Sequence, residues 1–157
     1  MKPGEIANLR YFAPDEDYRV RAKFVPVKNG RTVAMKSVNG GKHQLVKEYG
    51  YAVFELMSVP LKLHIYKMVA AKGEKNYDLF VPFTDQTNSI STYRGGRYLN
   101  VRLKDISDNK VILDFNKAYN PRTAYVKGYP AIVPPRENAL HIDINAGEKA
   151  YGRDPGF

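Results

Sequence analysis

The sequence predicts a mostly β protein: an antiparallel meander forming a barrel or strongly curled sheet, with a long C-terminal coil loop. Three observations predict it. Apolar and polar residues alternate with period two through most of the first half, short turn signals separate the alternating runs, and four prolines fall between residues 116 and 138. Period two sends successive side chains to opposite faces of a strand, so one face can be apolar while the other meets water.

The elements follow in order. Val20, Ala22 and Phe24 alternate with Arg19, Arg21 and Lys23, which puts apolar side chains on one face and cations on the other. Asn29-Gly30 is a hairpin signal, because both turn residues need positive φ. Residues 31–38 give a second strand, Asn39-Gly40-Gly41 a turn and residues 42–48 a third strand. Gly50 opens the next run, in which Ala52, Phe54 and Leu56 alternate with Tyr51, Val53 and Glu55. Pro60 marks a break, after which Leu61, Leu63 and Ile65 alternate with Lys62, His64 and Tyr66. A polar turn at 72–76 leads to a β-rich run at 77–83. A meander of five or six strands tends to curl or close.

The second half is less regular. Residues 84–93 read as a polar loop, and strands at 97–103 and 111–115 are separated by Asp108-Asn109. Residues 116–138 carry Pro121, Pro130, Pro134 and Pro135 and form a coil expected to fold over one end of the sheet. Coils of that length in compact domains are often functional. Residues 140–144 read as a last strand, 151–157 as a frayed tail, and 6–12 as one or two helical turns. One domain is expected over 1–157: an N-terminal extension at 1–17, the β-meander at 18–83, a motif-bearing half at 84–151 and a tail at 152–157.

Composition bounds the function. At 157 residues, 43% hydrophobic and 26% charged, the chain is long enough to bury one sizeable core and too apolar for a disordered segment. It has no cysteine, which removes disulfides, thiolate nucleophiles, zinc–thiolate sites and iron–sulfur clusters. Residues 1–10 show no secretory h-region and no run approaches a membrane span, so a cytoplasmic location without membrane contact is expected. The net charge of +9 is uneven: Arg19, Arg21, Lys23, Lys28, Arg31, Lys36, Lys42 and Lys47 fall in a stretch without one acid. Such a stretch attracts polyanions or anionic metabolites, although a solvated sheet face explains it as well.

Three blocks place polar residues and glycines where a plain β scaffold does not need them. The first is Asp85 with Thr92-Tyr93-Arg94-Gly95-Gly96-Arg97-Tyr98: paired glycines permit close approach, and arginines can hold a carboxylate or phosphate. A tight turn with surface arginines is the plainer alternative. The second runs from Leu113 through Asp114, Asn116 and Asn120 to Pro121, where the asparagines either meet a ligand or satisfy the coil's own backbone. The third joins Pro134-Pro135-Arg136-Glu137-Asn138 to Asn145-Ala146-Gly147-Glu148-Lys149, whose glutamates are acid/base candidates or ion-pair partners for Arg97, Arg122 or Lys149. His43, His64 and His141 lack ligand spacing, so no metal site is expected, and no cofactor motif is present.

The three blocks, in this order, resemble the signature segments of the family known as domain of unknown function 1684. They read LFVPFTDQTNSISTYRGGRYL, VILDFNKAYNPRTAY and VPPRENALHIDINAGEKAY, within a resemblance running from about residue 50 to 151 and tightest from Leu79 onward. The resemblance identifies this chain as a short, cysteine-free member: Thr123 and Ala131 stand near positions where members often carry cysteine, so any thiol role there has no counterpart. It implies a shared cluster of Asp85, Tyr93, Gly96, Arg97, Asp114, Asn116, Asn120, Glu137, Asn138 and Glu148, and no activity.

Together these readings favour a small-molecule-binding β domain for a polar or anionic ligand at those ten residues. Arg97 would hold the negative group, Asn116 and Asn120 would orient it, and Asp114 or Glu137 would be the base if the protein is an enzyme. The alternatives are a module for nucleic acid or an acidic partner on the basic stretch 19–47, which lacks any helix-turn-helix, zinc-finger or RRM signature and is not favoured, and a structural protein in which the motifs brace the coil. Substrate, oligomeric state and pathway stay open at this level.

Overall fold

The computed structural model describes residues 9–37, 43–69, 78–126 and 131–152. Its strands are β1 (Arg19–Pro26), β2 (Thr32–Met35), β3 (Gln44–Leu56), β4 (Val59–Met68), β5 (Asp78–Phe83), β6 (Arg97–Arg102), β7 (Ile106–Ser107) and β8 (Lys110–Asp114). They form one sheet in the order β6-β5-β4-β3-β1-β8-β7, with β2 on β3 beside β1, and every ladder is antiparallel. Among the described residues no helix exceeds a single 3-10 turn, and none is long and apolar enough to cross a membrane.

The sheet is curled but not closed, which corrects the expectation of a barrel. β6 and β8 stand five steps apart in the strand order, so a flat sheet would separate them by roughly 24 Å at about 4.8 Å per strand. Residues of the two strands nevertheless approach within 8 Å, yet no ladder joins them. Curling encloses the main core: Val20, Ala22, Phe24, Ala52, Phe54, Leu63, Ile65, Leu79, Val81, Leu99, Val111 and Leu113 all point to the concave face. Phe115 closes it by packing against both Phe54 and Phe83. Each fully buried leucine or isoleucine here contributes roughly 1.5–3 kcal/mol. As the alternation predicts, Arg19, Arg21 and Lys23 face outward.

A smaller core, of Met35, Val46, Tyr66, Phe80 and Ile132, lies on the convex face. It exists because β3 carries a bulge at Tyr49. Glu48 pairs with Tyr66 and Gly50 with Ile65, so Tyr49 has no partner in β4. One extra residue exchanges the faces of a strand, and Val46 and Glu48 therefore share the convex face while Ala52 and Phe54 share the concave one.

Several other expectations are corrected. Within the expected strand 42–48 the described strand starts at Gln44, and it continues through 51–56 as the single strand β3 rather than two; residue 42 lies outside the described residues. Asn29, at φ 56°, does make a turn, but β1 and β2 each pair with β3 and not with each other. Pro60 lies inside β4 opposite Glu55; the chain reverses at Met57-Ser58, both at positive φ. Asp108-Asn109 turns as read, at φ 52° and 57°. Residues 140–144 are irregular rather than a strand, because their backbone groups are taken by side chains and loop segments. Residues 9–12 are not helical. The turns at 39–41 and 72–76, and residues 153–157 of the tail, lie outside the described residues. Of the described part of the coil after β8, Ala118 packs into the main core and Tyr119 bridges Tyr98, whereas residues 131–138 lie against the convex face, where Val133 donates to Lys36 O and Ile132 bridges Ser37.

Candidate functional site

The ten residues singled out from the sequence fall into three groups. The first is centred on Arg97. Residue 97 opens β6 on the concave face, and its side chain is fully buried. Its Nη1 donates to Ala146 O and, at 3.2 Å, to Glu148 O; its Nη2 donates to Ile144 O at 2.9 Å and meets Asp85 Oδ2 at 3.4 Å. Asp85 also accepts from Ile144 N at 2.7 Å and from the Thr87 hydroxyl. Glu148 accepts from Asn120 N at 3.0 Å and from the Tyr125 hydroxyl, and Asn120 Nδ2 donates to Lys149 O. Burial pushes the Asp85 and Glu148 carboxyls above the usual carboxylate range, and Arg97 and the hydrogen bonds pull them back. Tyr93 flanks this bracket, its hydroxyl donating to Thr123. Gly96 admits the turn before β6: it sits at φ +88°, where a Cβ would lie 2.5 Å from Phe83 O.

The second group is Asp114 and Asn116. Asp114 Oδ1 accepts from Asn116 N and caps the 3-10 turn Phe115–Lys117. The Asn116 carboxamide pairs with the Asp15 backbone in both directions, Nδ2 to O at 2.9 Å and Oδ1 from N at 3.0 Å. It does what a neighbouring peptide group would do.

The third group, Glu137 and Asn138, lies on the convex face. Proline has no N–H, so Pro82 cannot complete a ladder. The β4–β5 ladder pairs Tyr66 with Phe80, and the same register would set His64 opposite Pro82. Asn138 fills that gap: Oδ1 accepts from His64 N at 2.7 Å, while Nδ2 donates to His64 O at 3.0 Å and Pro82 O at 2.9 Å. Wedged there, Asn138 brings the preceding residue, Glu137, to Tyr66, whose hydroxyl donates to it at 3.0 Å.

Glu137 thereby forms the wall of a groove of about 790 Å³. Its floor is Met35, Tyr66 and Glu48. One side is the turn and strand containing Val27, Asn29, Gly30, Arg31 and Lys36, and the other is residues 133–137. Gly30 lets the turn lie against the bulge, since a Cβ there would stand 2.1 Å from Glu48 O. Glu48 contacts His64 Nδ1. Burial, then the bond and charge of Glu137, then Glu48, raise the Tyr66 hydroxyl far above its ordinary value, so it remains a donor. A hydroxyl donor and two carboxylates thus line a mostly apolar groove rimmed by Arg31, Lys36 and Arg136, and His64 reaches it only through its contact with Glu48. Among the described residues no His/Asp/Glu group is placed to hold a metal ion.

The groove brings in Glu48, Tyr66 and Met35, which the sequence reading had left among the strands. One signal was available. On β4 the apolar positions run 61, 63, 65 and then 66 and 68, a change of phase that marks a second apolar patch on the opposite face. Residues 79–83 are apolar without a break, as a strand covered on both faces should be.

A family model described as a protein of unknown function (DUF1684) matches residues 5–149, a longer stretch than the three motifs span. The chain is similar to the solution NMR structure of the uncharacterized protein from gene locus rrnAC0354 of Haloarcula marismortui. The two are 32% identical with a TM-score of 0.72, over 95% of this chain and 81% of that one. No curated protein matches. The motifs, the near-complete family match and the shared fold agree, and the chain belongs to the DUF1684 family.

Proposed function

We propose that this protein binds a small polar molecule carrying an anionic group in the convex-face groove. The observation that carries the reading is the groove itself: about 790 Å³, within the roughly 300–1,000 Å³ of small-molecule sites, mostly apolar with a few convergent polar groups. The Tyr66 hydroxyl and the Glu48 and Glu137 carboxylates would fix the ligand's orientation, and Arg31, Lys36 and Arg136 would attract its negative end. Of the ten residues singled out from the sequence, Glu137 lines this groove and Asn138 holds its wall in place.

Thermal-shift screening against small carboxylates, phosphates and amino compounds tests the proposal. A ligand at about 100 times its Kd should stabilise by about 2.7 kcal/mol, or roughly 5–10 °C for a domain of this size. Tyr66→Phe and Glu137→Gln should each remove most of that shift, while Lys104→Ala, on an exposed turn, should keep it. A shift that survives both groove variants rules the groove out.

A further inference from the structure

A second feature of the convex face lies outside the groove. Lys110 stands directly opposite Lys23, Lys23 opposite Val53, and Val53 opposite Lys62, which makes one row across β8, β1, β3 and β4. Arg21, opposite Ile112, and Arg19, opposite Asp114, extend the patch along β1. All five cations are exposed, and Val53 between them is 40% exposed. Among the described residues none of the five has a carboxylate within ion-pair distance except by register, where Asp114 faces Arg19 but gives its Oδ1 to Asn116. Glu55 shares this face, and Asp108, in the turn before β8, lies beside Arg21, Lys23 and Lys110, while Glu48 and Glu137 belong to the groove.

Like charges directly opposed across a ladder destabilise it, and Lys23 against Lys110 is such a pair. A polyanion laid on the face would relieve it. Tyr51 supplies the second ingredient. It lies on the same face beside His64, and the Lys62 ammonium sits 3.9 Å from its ring centroid. If Lys62 turned to a phosphate, the ring would be free to stack a base. An acidic peptide could use the cations but would gain nothing from Tyr51, and a smooth sheet face offers no helix or ribbon to enter a duplex groove.

We propose that this face binds single-stranded nucleic acid: Arg19, Arg21, Lys23, Lys62 and Lys110 meet phosphates, and Tyr51 stacks on a base. This site is independent of the groove. Fluorescence anisotropy with a mixed-sequence single-stranded 12-mer tests it. Three to five phosphate contacts give a log–log salt slope of about −2 to −3.5, or roughly 20- to 130-fold weaker binding between 50 and 200 mM salt. The double variant Lys23→Glu/Lys110→Glu should lose binding at 50 mM salt while keeping its Tm and its small-molecule thermal shift. Tyr51→Leu should weaken binding about fivefold or more without changing the slope. No detectable binding at 20 mM salt overturns the proposal, and so does binding unaffected by the double charge reversal. If Tyr51→Leu changes nothing, or polyglutamate competes as well as the oligonucleotide, the face takes acidic chains in general and the nucleic-acid assignment fails.

Discussion

Arg97 pins the irregular segment 144–148 to the start of β6. Its guanidinium joins three backbone carbonyls between residues 144 and 148 to the Asp85 carboxylate. Removing one partner of a buried ion pair strands the other, at a cost of roughly 3–5 kcal/mol. Arg97→Leu should therefore lower the unfolding free energy by about that amount in urea titration, whereas Asp85→Asn, which keeps a hydrogen-bonding side chain, should cost less. Equal stability of Arg97→Leu and the wild type would show that the bracket is not made. The sequence offers Glu148 as one candidate ion-pair partner of Arg97, and the resemblance to the family groups both with Asp85. It does not show that Arg97 would spend its donors on main-chain carbonyls. Those carbonyls come from residues 144–148, whose irregular path no periodic pattern records.

At the scale of elements, the decisive features are the bulge in β3 and the asparagine wedge between β4 and β5. Positions 46, 48, 50, 52, 54 and 56 keep one parity through β3, yet the bulge moves them from the convex to the concave face. Alternation in the sequence therefore runs unbroken through a change of face, and Glu48 could not be placed beside Tyr66 by pattern alone. Among the described residues, the turns at Asn29-Gly30 and Asp108-Asn109 were legible as turns, though only the second joins a hairpin, and the hairpin turn at Met57-Ser58 was invisible, because tertiary pairing overrides local preference there. Asn138 makes three hydrogen bonds that replace the ladder Pro82 cannot complete. Asn138→Ala should cost about 2–4 kcal/mol, since it leaves buried backbone groups unpaired, and should loosen Glu137. Faster hydrogen exchange at the His64 amide would report this directly. An unchanged exchange rate there would mean that another group holds the strands.

For the whole molecule, the curled sheet gives two unlike faces: a concave core and a convex face shared by a groove and a cationic row. Burial within this architecture raises the hydroxyls of Tyr66, Tyr98 and Tyr125 above their ordinary value of 10.0. Groups raised on folding contribute stability that is complete below the unfolded value and is lost as the pH climbs toward the folded one. Tm should accordingly hold up to about pH 10 and fall steeply beyond it. The decline should be shallower in Tyr66→Phe/Tyr125→Phe, and identical profiles for that variant and the wild type would show that these hydroxyls titrate as they do in the unfolded chain. Asp85 and Glu148, also raised, add stability at acid pH that is lost as the pH rises through their folded values, so these two carboxyls do not drive acid unfolding.

The central claim is that ligands meet this protein in the convex-face groove. Amide chemical-shift mapping of the uniformly labelled protein, titrated with whichever compound gives the largest thermal shift, tests it most directly. The account predicts perturbations concentrated at residues 31–36, 48, 66 and 133–137, with the amides of 85, 97, 120 and 148 unmoved. Perturbations centred on Arg97, Asp85 and Glu148, with the groove silent, would contradict it.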